Sequence, residues 1–184
     1  MLGFWIRVVL IAVAAYFCGC FNGAVIVSKY ILRDDVRTHG SGNAGSTNML
    51  RNYGKLPAVA TILGDMAKVA VAILLVRLLV GNELYAQQPI FIKSFAGLFC
   101  VLGHIFPCFF RFKGGKGVAT CGGMVFMIDW RIALILLAVF FVAVLITKWV
   151  SLGSILMAIL YPVLMGLLYK SVPITLISVV FAAI

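Results

Sequence analysis

Apolar residues in this chain fall into long runs separated by short polar stretches. A helix rises about 1.5 Å per residue, so about 20 residues cross the hydrocarbon core of a bilayer. Runs near that length are Leu2–Val27, Pro57–Val80 and Val150–Tyr169. Ile90–Pro107 and Ile132–Thr147 are slightly shorter. Gly117–Ile128 is a half-length, glycine-rich run, and Val172–Ile184 stops with the sequence. The pattern predicts an all-α, polytopic membrane helix bundle with about seven transmembrane segments, the last truncated. Five or six of the seven are long enough to span. A single membrane-embedded domain is expected over residues 1–184. Arg7 precedes an apolar stretch, as in a signal peptide, but Val8–Val27 has span length rather than signal length. It is read as the first transmembrane helix, retained.

Composition points the same way. Apolar residues make up 64% of the chain and charged residues 11%, too little polarity to build a water-facing surface. The formal net charge is +10. Its cations sit in short loops between apolar runs, so anionic lipid headgroups and phosphorylated substrates are the expected partners rather than nucleic acid. The loop between the first two spans holds Lys29, Arg33, Arg37, Arg51 and Lys55. The loop before the half-length run holds Arg111, Lys113 and Lys116, and Lys148 lies in a third. An external N-terminus puts all three on the cytoplasmic side of the membrane. The five cysteines (Cys18, Cys20, Cys100, Cys108, Cys121) show no paired metal spacing and read as small packing residues. No metal or cofactor is expected. Oligomeric state is left open, with a monomer sufficient for the reading.

Two loops carry candidate chemistry. In the first, His39-Gly-Ser-Gly-Asn-Ala-Gly-Ser-Thr-Asn-Met-Leu-Arg51, three glycines alternate with hydroxyl and amide residues. Glycines let backbone N–H groups approach an anion, the segment runs into a possible helix start, and Arg51 can bind phosphate oxygens in bidentate fashion. In the second, Lys113-Gly114-Gly115-Lys116-Gly117 has the composition of a phosphate loop. It lacks Walker A spacing, since Gly117 and then Val118 follow Lys116 where Ser or Thr would be needed, so nucleotide hydrolysis is not implied. Phe106, Phe109, Phe110 and Phe112 lead into it and suit an interfacial segment near an acyl chain.

His104 ends the third apolar run, with an interfacial and a substrate-binding or proton-transfer role both open. Asp65 and Lys68 share one face of the second span by their i, i+3 spacing. Ionisable groups there are costly and face a protein interior or polar cavity. A structural ion pair and a direct part in the site both remain open. Asn22, Ser28 and Lys29 stand near the same end of the first helix.

His39–Arg51, Gly64-Asp-Met-Ala-Lys68, Gly103-His-Ile-Phe-Pro107 and Phe112-Lys-Gly-Gly-Lys-Gly-Val-Ala-Thr120 together resemble the bacterial acyl-phosphate:glycerol-3-phosphate acyltransferase family, PlsY. The likeness runs in order from about Cys20 to Ser154 and includes Val150-Ser-Leu-Gly-Ser-Ile155. It implies seven helices, an external N-terminus, and transfer of a fatty acyl group from acyl phosphate to the 1-hydroxyl of glycerol 3-phosphate. The products would be lysophosphatidic acid and phosphate. By this resemblance Ser41 and Arg51 match positions tied to activity, His104 an active-site histidine, and the second loop a glycerol-phosphate-binding motif; Ser41, Arg51, His104 and Lys113 are the candidate catalytic residues. Gly42, Asn43, Gly45, Thr47, Asn48, Lys68, Gly114, Gly115, Lys116 and Gly117 are candidate phosphate-binding residues. The family pattern continues past the last helix into an Arg-His-Arg-x-Asn-type cytoplasmic motif. The sequence ends before it, at Ile184, so part of the catalytic set is expected to be lacking.

An acyl phosphate is already activated, so the protein's work is mainly to place two phosphates in one basic cavity. Ser41 is expected to donate a hydrogen bond rather than act as a covalent nucleophile, because no nucleophile elbow or triad order is present. The proton of the attacking hydroxyl could go to His104 or to a phosphate oxygen. The rival reading is a transporter of a phosphorylated solute. It would need cations along a path through the bilayer, whereas these cluster at one face.

Overall fold

The computed structural model describes residues 2–184, with side chains from Trp5 onward. All seven apolar runs are helical. In chain order the helices are α1 (Leu2–Cys20), α2 (Gly23–Ile26), α3 (Ser46–Tyr53), α4 (Lys55–Val80), α5 (Asn82–Gln87), α6 (Pro89–Ile105), α7 (Val118–Ile128), α8 (Trp130–Thr147), α9 (Val150–Tyr169) and α10 (Val172–Ala183). α4, α6 with the turn after it, α8 and α9 are long and apolar enough to cross a membrane. α1 and the helical stretch after it, bent by 40° at a short break, add a fifth when the pair is counted as one span. α7 and α10 have 11 and 12 residues, or about 17 Å of helix, short of a hydrocarbon core of about 30 Å.

The chain divides into two compact units, Met1–Met124 and Val125–Ile184. In the first, α1, α4 and α6 pack on one another, and α2 and α3 rest on α4. Lipid tails are as apolar as the helices, so close backbone packing must replace the hydrophobic drive. Gly19 and Gly103 supply it. A Cβ on Gly19 would strike the Cys100 carbonyl, and one on Gly103 would strike the Tyr16 carbonyl. This crossing fixes the end of α6, and therefore His104, against α1.

The first run was expected as one span, Leu2–Val27. It breaks at Asn22, whose extended backbone and side-chain oxygen cap α2 by accepting from the Val25 N–H at 3.0 Å. The helix resumes through α2 into a wide turn at Val27–Ile31.

In the second unit α9 packs between α8 and α10. Asp129 caps α8, accepting from the Arg131 N–H, and also meets the Arg131 guanidinium and the Tyr169 hydroxyl, each at 2.8 Å. The Arg131 guanidinium holds the Asp129 carboxyl well below the usual carboxylate range. Apart from this cap, the unit buries little polar chemistry.

Candidate functional site

The first loop leaves the membrane helix through Arg33 and makes a short 3₁₀ turn, Val36–Thr38. Asp35 caps the turn and grips the Arg37 guanidinium at 2.7 Å. That pair holds the Asp35 carboxyl below its ordinary range. Asp34 is likewise held low, first by its hydrogen bond with His39 and then by the Tyr53 hydroxyl. The glycine-rich stretch is organised by one buried side chain, Asn48. Its amide donates to the Val36 and His39 carbonyls at 3.0 Å, and its oxygen accepts from the Ser41 N–H and from Asn52. α3 then begins at Ser46, as the sequence allowed. The side chains of Ser41, Asn43, Thr47 and Arg51 have no protein hydrogen-bond or ion-pair partner among the described residues.

The second loop is organised by its backbone. Arg111 and Phe112 both take the left-handed conformation, with φ of 58°. This conformation is uncommon for non-glycine residues and costs about 1–2 kcal/mol each. The resulting turn doubles the chain back on the end of α6. The Gly114 N–H donates to the Ile105 carbonyl at 3.1 Å, and the Gly115 N–H to the His104 carbonyl at 3.2 Å. Two carbonyls that a helix end leaves unpaired are thereby satisfied. After this clasp the chain enters α7, whose first N–H groups point out of its N-terminus. Lys113 and Lys116 are exposed and have no side-chain partner among the described residues.

Beneath the loops lies a buried polar cluster. Asp65 and Lys68 on α4 form an ion pair at 2.8 Å, with side chains 1% and 6% exposed. The same carboxylate oxygen accepts from the Gly23 N–H at 3.1 Å. The Lys68 ammonium also reaches the Phe21 carbonyl at 3.3 Å and His104 Nδ1 at 2.6 Å. Breaking a buried pair by removing one partner costs about 3–5 kcal/mol, because the other charge is left stranded.

The loops meet at two places, and the break in the first membrane helix braces the first loop. Asn22 donates to the Ala44 carbonyl at 3.2 Å. Gly115 sits so close to that carbonyl and to His104 Nε2 that a Cβ there would strike both. Arg37 reaches from the first loop to the Phe110 carbonyl at 3.0 Å and the Lys113 carbonyl at 3.4 Å. First loop, second loop and the end of α6 therefore form one seam, and Arg51, Lys113 and Lys116 are among the cations on these loops that have no side-chain partner among the described residues.

The structure redistributes several sequence-based roles. Asn48, expected to bind phosphate, spends its amide on the loop itself. Lys68, expected likewise, points all three N–H bonds at protein acceptors. The N–H groups of Gly114 and Gly115 are engaged with α6, and those of Gly42 and Gly45 with His39 and Asn43. These six residues shape the site, and none of these groups is left over for an anion. The cystine-free thiols of Cys20 and Cys108 lie 3.7 Å apart, consistent with packing. Sequence reasoning gave Arg37 no part in the site, though its spacing from Asp35 was visible. Its reach to Phe110 is long-range and left no local signal.

A family model described as glycerol-3-phosphate acyltransferase matches residues 9–184. The glycerol-3-phosphate acyltransferase of Thermoanaerobacter pseudethanolicus is 38% identical over 96% of this chain and 85% of its own length. That of Finegoldia magna is 39% identical over 90% of this chain and 79% of its own. Among solved structures, the glycerol 3-phosphate form of PlsY (YgiH), an integral membrane glycerol 3-phosphate acyltransferase, superposes with a TM-score of 0.84 at 31% identity. It covers 96% of this chain and 84% of that one. The lysophosphatidic acid form gives a TM-score of 0.81 with the same coverage.

Proposed function

This chain belongs to the glycerol-3-phosphate acyltransferase family, and from that premise we propose how its residues divide the work of moving an acyl group onto glycerol 3-phosphate. The donor is an acyl phosphate and the acceptor the 1-hydroxyl, giving lysophosphatidic acid and phosphate. The hydroxyl oxygen bonds to the carbonyl carbon, and the bond from that carbon to the phosphate oxygen breaks.

Arg51, Lys113 and Lys116 hold the two phosphates. Their support is that all three cations lie on the loops joined at Ala44 and Gly115, yet none is neutralised by protein. This observation carries the reading. The free hydroxyls of Ser41 and Thr47, the Asn43 amide, and the outward N–H groups around Lys116, Gly117 and the start of α7 supply further donors. The fatty chain has an apolar groove of about 480 Å³ along α1 and α6, lined by Val13, Tyr16, Phe17, Phe99, Leu102 and Phe106. Lys/Arg distribution supports an inner-membrane orientation with the N-terminus outside and both loops in the cytoplasm.

The test is product formation by the purified protein from palmitoyl phosphate and glycerol 3-phosphate. Arg51→Ala and Lys116→Ala should each lower kcat/KM by about 100-fold or more, the scale for losing one preorganised donor, with unchanged thermal unfolding. Wild-type turnover in either variant would remove the phosphate assignment. Flux of labelled glycerol 3-phosphate into liposomes, without product, would favour a transporter instead.

A further inference from the structure

His104 is joined to the Asp65–Lys68 pair through Nδ1 alone. An ammonium has three N–H bonds and no lone pair. Lys68 has three acceptors in reach: Asp65 Oδ1 at 2.8 Å, Phe21 O at 3.3 Å and His104 Nδ1 at 2.6 Å. A carboxylate at 2.8 Å, itself anchored by the Gly23 N–H, is the counter-ion of the ammonium. Asp65 Oδ1 also lies 3.4 Å from Nδ1, but a proton on Nδ1 would face the ammonium hydrogens across 2.6 Å, so the geometry favours a lone pair on Nδ1. A neutral imidazole carries its proton on the other nitrogen. That nitrogen, Nε2, lies beside Gly115 in the seam between the two loops. It has no protein hydrogen bond among the described residues, although the His104 side chain is only 3% exposed.

We propose that Asp65 and Lys68 are positioning residues that lock His104 as the Nε2–H tautomer, so that His104 meets a substrate oxygen as a hydrogen-bond donor and not as the proton acceptor. This rests on the acyl-transfer reading for the identity of that oxygen, a carbonyl or phosphoryl oxygen of the donor. The tautomer itself follows from the protein alone. Nε2 cannot accept the hydroxyl proton because it already holds one. Nδ1 cannot accept it because its lone pair is occupied by Lys68. The hydroxyl proton therefore passes to an oxygen of the departing phosphate, and His104 leaves each turnover with the protonation it started with.

The chain contains two histidines, His39 and His104, so ¹⁵N-histidine labelling of the intact protein in detergent gives two ring systems. A His39→Asn variant assigns them. At about pH 7, His104 should show a protonated, pyrrole-like Nε2 and an unprotonated, pyridine-like Nδ1. A protonated Nδ1, as the other tautomer or as imidazolium, would overturn the proposal whether or not the enzyme assay succeeds. In Lys68→Met a protonated Nδ1 should emerge, turned toward Asp65 Oδ1, which lies 3.4 Å away in the wild type. A His104 spectrum unchanged by that substitution would remove Lys68 from the positioning role. The same variant should lower kcat by about tenfold or more with KM within about twofold, the pattern of an interaction made in the transition state. Unchanged kcat would equally refute it. A failed activity assay for the wild type, with the expected spectrum, would count against the acyl-transfer reading alone.

Discussion

Gly40-Ser-Gly-Asn-Ala-Gly45 and Lys113-Gly-Gly-Lys-Gly117 carry three glycines each, and on composition they invite one explanation. In the first, a side chain does the organising: Asn48 gathers Val36, His39 and Ser41 around its amide, and the glycines allow the turns between them. In the second, the backbone organises. Gly114 and Gly115 clasp the end of α6, and their missing side chains let the chain lie against His104 and Ala44. One loop is therefore vulnerable at an asparagine and the other at a glycine. Glycine-rich composition identifies an anion site less directly than it suggests, because four of the glycine N–H groups are spent on the protein's own carbonyls.

The sharpest way to break this contrast is to add one methyl group to each loop. Gly115→Ala places a carbon against the Ala44 carbonyl and His104 Nε2, neither of which is the flexible end of a long side chain. The seam must open. Overpacking of this kind costs about 1–3 kcal/mol, and small misplacements of a reacting group can cost about 100-fold in rate. Activity should fall by at least that factor, measured as product formation. Gly42→Ala in the first loop meets only the Arg37 carbonyl, at 3.4 Å, and a left-handed φ of 69°. It should cost about 1–2 kcal/mol and keep most activity. Equal losses in the two variants would mean that the loops are built alike.

Asn48→Ala tests the other half. It strands the buried Val36 carbonyl and the part-buried His39 carbonyl and Ser41 N–H, and a group left unsatisfied away from water costs about 1–3 kcal/mol. Thermal unfolding in detergent should drop by several degrees, and activity should fall with it as Ser41 and Arg51 lose their register. A variant with unchanged unfolding and selectively weakened glycerol 3-phosphate binding would return Asn48 to the phosphate ligands.

Much of the fold was legible because helix in a membrane is dictated by composition and length: every apolar run became a helix within a few residues of its expected ends. The bend at Asn22 was less so, since a capping asparagine inside an apolar run looks like an ordinary polar interruption. Within the site, residue types were readable and their partners were not. Lys68 and Lys116 are both lysines in the motifs that the sequence singles out. Only the third dimension shows that one has three protein partners and the other none among the described residues. The same holds for Arg37, whose local pairing with Asp35 is in the sequence while its hold on Phe110 depends on where the second loop folds.

Arg37 also supplies the smallest predicted effect, and it concerns the tie between the loops. Asp35 accepts from Nε and Nη2 of Arg37, which leaves Nη1 to reach the Phe110 and Lys113 carbonyls. Because the folded protein holds the Asp35 carboxyl below its ordinary value through Arg37, the pair stabilises the fold fully above the unfolded carboxylate pKa of about 3.9. That contribution is lost as pH falls through the lower folded value. Asp35→Asn should remove it at neutral pH, at a cost of no more than about 1 kcal/mol for a half-buried pair. The melting temperature of the variant should then fall less steeply than the wild type's as pH is lowered through this window. If the two curves stay parallel through the acid range, Asp35 does not set the grip of Arg37.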